Sequence, residues 1–371
     1  MNAPATVLPD KHTFLPGQDP EGKPIFSALF KRTYDIVPGG KCVRAKKDVK
    51  IHTGAVYYGD PKTSSLRYDT DFIPYKIATD VVFEGKAYSL GGVPVQSLKA
   101  ALCVGAARKE ILVIGERICR WMEGGRIAAT PPEPFSAMEI RAENAYGGVD
   151  IYSDPKAPCE YPANPLGKGF VIKPTPKTLL NLPLPNQEDP KLRLSAEALC
   201  LLDAKQWKRQ PPPATLGWVS PHWQPRAALA GIMPGDAELE QQLRDIFVKA
   251  LPKDQQELYT KHPLPKIDFA YFNGAPAGQV FPYLKGTETI LLENLTPEGR
   301  LEFSLPGDIP SAELDIGFGP QQAPTVIHTV QIRGEDRQID MLWRAAFTYP
   351  GTDWLPSMAK ADFRLEWSTA S

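Results

Sequence analysis

The chain has 371 residues, with 42 Lys and Arg against 43 Asp and Glu. That balance excludes a protein built mainly to coat nucleic acid, which carries a marked basic excess. Proline is the outlier, at 39 residues, roughly twice its average usage. Each proline removes a helix donor and clashes with the preceding turn, so helical bundles and coiled coils are excluded.

Residues up to His12 lack the basic start and apolar stretch of a secretory signal. The longest apolar run, Ala100 to Ala107, is far short of the ~20 residues that span a bilayer. The five cysteines (Cys42, Cys103, Cys119, Cys159 and Cys200) contain no C-x-x-C pair, which argues against a zinc site or a disulfide framework. They read as reduced, mostly buried small hydrophobes. The expectation is a cytoplasmic protein with no metal, no cofactor, no nucleic-acid partner and no membrane contact.

In chain order, Phe30 to Val37 is the first strand expected. Around it gathers a basic excess: Lys31, Arg32, Lys41, Arg44, Lys46, Lys47 and Lys50. This reads either as a patch for an acidic partner or as the wet face of a strand in which Val49 and Ile51 alternate with Lys50 and His52. Val81 to Phe83 is a further strand, and Ile111 to Ile114, apolar on both faces, suits a central one. Pro131-Pro132-Glu133-Pro134 reads as a stiff extended linker and the domain boundary. Residues 155–190 are loop-rich, Leu192 to Leu202 is ambiguous between strand and helix, and Pro211-Pro212-Pro213 is a rigid connector.

One segment reads as helix. Asp236 is its N-cap, Leu239, Leu243, Ile246 and Ala250 recur at helical spacing, Lys249 suits the C-terminal end, and Pro252 stops it. A short second helix over 254–261 is possible. Strands return with Leu301, Phe303 and Leu305 alternating with polar neighbours. His328 to Ile332 and Ile339 to Tyr349 flank the polar turn 333–337 as a hairpin, with Ile339, Met341, Trp343, Ala345 and Phe347 on its buried face. Phe363, Leu365 and Trp367 close the series. The architecture expected is all-β and mainly antiparallel, in two packed sandwich-like parts. Residues 1–23 form an extension, 24–130 the first part, and 131–371 the second, with a helical insert near 236–261.

The usual catalytic signatures are absent: no G-x-S-x-G elbow, H-E-x-x-H helix or phosphate-binding loop occurs. Gly317-Phe318-Gly319 lacks the third glycine of a dinucleotide fingerprint and reads as a turn. Asp60, Asp69, Asp71 and Asp80 cluster without the spacing of a calcium loop, which favours turn-forming and solvated roles. His222, in Pro221-His222-Trp223, reads either as a fixed base beside a sugar-stacking platform or as part of a packed turn.

The most distinctive text is Tyr57-Tyr58-Gly59-Asp60-Pro61-Lys62-Thr63-Ser64-Ser65-Leu66-Arg67-Tyr68, followed by Asp71-Phe72-Ile73-Pro74-Tyr75-Lys76 and Thr79-Asp80-Val81. Further on come Glu143-Asn144-Ala145-Tyr146-Gly147-Gly148, Asn164-Pro165-Leu166-Gly167-Lys168-Gly169-Phe170, the His222-Trp223 segment, and Asp268-Phe269-Ala270-Tyr271-Phe272-Asn273-Gly274-Ala275-Pro276. Over about residues 24–310 this ordered series resembles a bacterial domain-of-unknown-function family found with type VI secretion spike proteins and toxic effectors.

The resemblance implies a non-catalytic adaptor or chaperone that holds a cognate effector and helps load it onto a VgrG trimer or a PAAR-type tip. It brings no catalytic residues. Tyr58, Asp60, Pro61, Ser64, Arg67, Asp80, His222, Trp223, Phe272 and Asn273 are its candidates for the partner-binding face. The same residues read equally as scaffold: Gly59-Asp60-Pro61 is turn-forming, and Arg67 is placed to pair with Asp71 or Asp80. An adaptor predicts a shallow apolar groove. The alternative, a carbohydrate-binding or carbohydrate-active β-sandwich, predicts a cleft with two carboxylates beside an exposed aromatic.

Overall fold

The computed structural model describes residues 11–122, 127–173, 175, 179, 181–195, 204–233, 237–253, 256, 265–317, 319–348 and 361–369. The fold is all-β and mainly antiparallel. Its largest sheet runs in the order Lys11–Gln18, Pro24–Asp35, Gln338–Thr348, Thr325–Arg333, Thr79–Glu84, Val280–Phe281, with Val43–Arg44 beside Pro24–Asp35. Pairing is antiparallel except between Thr325–Arg333 and Thr79–Glu84. A five-stranded sheet runs Gln187–Glu188, Ala107–Ile114, Ser97–Val104, Thr289–Glu293, Arg300–Ser304, and a three-stranded one Gln321–Ala323, Asp308–Asp315, Asp362–Thr369.

These sheets share one hydrophobic core. Phe26, Phe30, Val81, Phe83, Leu102, Ile111, Ile290, Phe303, Leu314 and Trp343 all belong to it. The large sheet draws strands from both sides of residues 131–134 and also uses residues 11–18 of the expected N-terminal extension. The 131–134 segment itself is pressed against the five-stranded sheet. Glu133 N–H donates to the Glu116 carbonyl, and a Cβ on Gly115 would stand only 1.7 Å from the Glu133 carbonyl oxygen. No side chain at 115 is compatible with that backbone approach.

The Thr325–Arg333 and Gln338–Thr348 hairpin forms as expected, and Ile339, Met341, Trp343, Ala345 and Phe347 are buried. So is its other face. Asp340, Leu342 and Arg344 are buried as well, together with Lys31 and Thr33 on the neighbouring strand and Thr329, Gln331 and Arg333 on the other. The sheet therefore has an apolar face toward the core and a polar face sealed by loops rather than by water.

Residues 49–52 form no strand. Thr33 holds that loop against the sheet, donating its N–H to Asp48 Oδ1 and accepting the Val49 N–H on Oγ1. Nor do the basic residues form one patch: Lys31 pairs with Asp71, Arg32 with Asp308 and Arg44 with Asp48. Burial alone would raise the Asp48 carboxyl, but the Arg44 guanidinium and the Thr33 N–H hold it below its usual range.

The helix spans Ala237–Ala250 with Lys249 in its last turn. Ile246, expected on its buried face, is 70% exposed. The Asp236 cap and most of the second helix, over 254–261, lie outside the described residues. Leu192 to Ser195 is irregular, and the rest of that segment also lies outside them. No described helix is long and apolar enough to cross a membrane.

Candidate functional site

The motifs singled out in the sequence converge on the polar face of the large sheet. Asp80, at the start of the Thr79–Glu84 strand, is fully buried and is the hub. Its carboxylate accepts from Lys76 Nζ at 2.7 Å, Asn273 Nδ2 at 3.1 Å, and the backbone N–H groups of Gly274 and Ala275 at 3.1 and 3.3 Å. Lys76 Nζ also donates to Thr329 Oγ1 and lies 5.3 Å from the Trp218 ring. Burial removes solvent from both charges, so each needs this set of partners to be tolerated.

Around this hub lie two further buried ion pairs, Lys31–Asp71 and Arg226–Asp69, at 2.8 and 2.7 Å. Arg226 also donates to the carbonyls of Tyr271 and Val219. The crossing is tight at Gly274, where a Cβ would meet Arg226, Asp69 and Trp218 within 2.7–3.0 Å. His328 completes the layer. A register shift between Ile327 and Thr329 lets His328 and Thr329 both meet Lys76, as a bulge does. Burial lowers the His328 pKa well below its usual value, and Arg344 and Lys76 add to that shift.

Above the layer lies an apolar groove. A cavity of about 580 Å³ is walled by Trp218, Val219, Trp223, Leu229, Pro276 and Val280. It adjoins a second cavity of about 710 Å³ that includes Tyr161 and Trp207. Pro212, Pro213, Gln224 and Pro225 wall both. The proline connector expected from the sequence is thus part of a groove wall. Trp218 joins groove and layer: its Nε1 donates to Gln331, and it packs with Leu66, Val82 and Ala275.

The expected site residues divide between three places. Trp223 and Asn273 line the groove, and Asp80 supports it from below through Asn273. His222 is exposed beside the groove without lining it, and Phe272 is half-buried edge-on against Phe269 and Tyr271. Tyr58, Asp60, Pro61, Ser64 and Arg67 lie on the Val56–Tyr57 and Leu66–Tyr68 hairpin, outside both cavities.

In that hairpin Ser64 Oγ accepts the Gly59 N–H and donates to the Asp60 carbonyl, while Asp60 Oδ1 accepts the Lys62 N–H. Gly59-Asp60-Pro61 is turn-forming, as read. Arg67 pairs with Glu84 at 2.7 Å, not with Asp71 or Asp80, because those two are already held by Lys31 and Lys76. Arg141 stacks 3.9 Å from the Tyr58 ring. Burial raises the Tyr58 hydroxyl pKa well above its usual range, and Glu84 adds to that shift.

Sequence reasoning gave no role to Trp218 and Arg226, which flank the His222-Trp223 pair. It also missed Glu84 and Lys109, which no local pattern marks. The aspartates considered for calcium are spoken for: Asp69, Asp71 and Asp80 in ion pairs and Asp60 in its turn. Among the described residues, no group of three or more His, Cys, Asp or Glu is placed to hold a metal ion. Cys42, Cys103 and Cys119 are buried free thiols, and burial pushes the Cys42 thiol up to about 12.

No curated protein and no solved structure matches the chain. A family model does, over residues 21–344, a span that contains every motif brought together here. The chain belongs to that family, DUF2169, described as an uncharacterized protein conserved in bacteria.

Proposed function

We propose that the protein is a non-catalytic adaptor or chaperone of a type VI secretion system. It binds a cognate toxic effector in the cytoplasm and promotes its loading onto the VgrG or PAAR spike. The observation that carries this reading is the apolar groove, walled by prolines and by Trp218 and Trp223 and braced from below by the Asp80 layer. Proline restricts the unfolded chain, so such a wall is rigid at low entropic cost. Fixed aromatic side chains supply large contact area with little freedom left to lose on binding.

A carbohydrate site would place two carboxylates beside an aromatic platform. Among the described residues that wall the two cavities, Asp189 is the one carboxylate, and its Oδ1 accepts the Lys191 N–H. That supports the protein-docking reading over the carbohydrate one.

Co-expression with the proteins encoded by the neighbouring genes, followed by pull-down, tests the proposal. The wild-type chain is expected to retain the effector, and Trp223→Glu, which places a charge in the apolar wall, to lose at least about tenfold of it. A wild-type chain that retains neither an effector nor a spike protein overturns the proposal.

A further inference from the structure

We infer that the groove takes a short acidic segment carrying large apolar side chains; this rests on the adaptor reading and names what the cargo presents. The walls are apolar, but the charges around them are one-sided. Among the described residues, Lys109, Arg193, Lys208, Arg209 and Arg226 contribute to the two cavities, against the single carboxylate of Asp189.

These cations differ in what already neutralises them. Arg226 lies inside and is held by Asp69. Arg193 shares the Glu188 carboxylate with Arg117. Lys109 has no acidic partner among the described residues: Glu110 and Glu293 lie on the opposite face of the five-stranded sheet, where Lys99, Arg108 and Arg300 engage them. Its stem is fixed over the 276–280 turn, where Cδ would stand 3.6 Å from a Cβ on Gly278. At the other end Lys208 is exposed, 5.9 Å from the Trp207 ring.

Cations rim the groove at both ends, and low-dielectric walls between them focus that field along the groove. A carboxylate arriving beside Lys109 gains attraction without displacing an acidic partner among the described residues, whereas a basic segment is repelled. The apolar walls require that the same segment also carry side chains able to leave water.

Selection from a random dodecamer phage library on the immobilised full chain tests this, because such a library offers acidic, neutral and basic segments alike. Enriched peptides are expected to combine Asp or Glu with Leu, Phe or Trp. Their affinity is expected to fall at least about tenfold in Lys109→Glu/Lys208→Glu and to weaken with added salt. Lys46→Glu/Lys47→Glu, which reverses exposed charges that line neither cavity, is expected to leave it unchanged. No enrichment, enrichment of neutral or basic peptides, or equal binding by the Lys109→Glu/Lys208→Glu chain overturns the inference.

The two readings fail separately. Acidic peptides bound by a chain that retains no neighbouring effector sink the adaptor role alone. An effector retained equally by the charge-reversed chain sinks the acidic-segment inference alone.

Discussion

Replacing Asp80 with alanine is expected to destabilise the protein by about 3–5 kcal/mol, the range for leaving one member of a buried ion pair behind. The substitution strands the Lys76 ammonium with the Thr329 hydroxyl as its one remaining side-chain acceptor. It also removes one of the two acceptors of Asn273 Nδ2, which keeps the Ala78 carbonyl, and the side-chain acceptor of the Gly274 and Ala275 N–H groups. Lys76→Met is expected to cost less, about 1–3 kcal/mol, because the Asp80 carboxylate keeps those three N–H donors. Chemical denaturation of both variants checks the order. A Lys76→Met chain less stable than Asp80→Ala, or an Asp80→Ala chain within about 1 kcal/mol of wild type, contradicts the role assigned to Asp80.

Stability is expected to fall as pH drops below about 6.5, the ordinary histidine pKa, and His328 is the main reason. Its pKa is depressed in the folded chain by burial and by Arg344 and Lys76. Below about 6.5 the unfolded chain therefore takes up a proton that the native one refuses. The stability contributed by the neutral ring is fully present above that pH and is lost on acidification, at up to about 1.4 kcal/mol per pH unit. His52, lowered by burial and by Lys31, adds a slope of the same sign. Nε2 of His328 accepts the Lys76 backbone N–H, so the neutral ring carries its proton on Nδ1, which has no hydrogen-bond partner among the described residues. Urea denaturation between pH 7 and about 5 is expected to show a shallower slope for His328→Gln than for wild type. Equal slopes would mean that His328 is not held neutral.

The apolar face of the large sheet was legible because alternation marks it directly. Ile339, Met341, Trp343, Ala345 and Phe347 follow every second position and are buried as a set. The other face was not legible, since a buried Asp or Lys reads in sequence like a solvated one. Its partners are remote: Lys31 and Asp71 are 40 residues apart, and Thr33 and Asp340 are 307. The same limit explains Arg67, whose partner Glu84 was less obvious than the nearer Asp71, and residues 49–52, whose alternation belongs to a loop tied down by Thr33. The groove was partly legible. Trp223, Asn273 and the Pro211-Pro212-Pro213 connector stood out, but the chain brings them together only through Arg226, Trp218 and Gly274.

Site-specific photo-crosslinking in cells that also produce the neighbouring gene products tests the groove most directly. A benzophenone amino acid placed at Leu192, exposed and lining both cavities, or at Ile77, on the rim of the smaller one, is expected to capture the effector. The same group placed at Lys47 is expected to capture none. Effector crosslinks from Lys47 with none from Leu192 or Ile77 would contradict the assignment of the groove as the docking face.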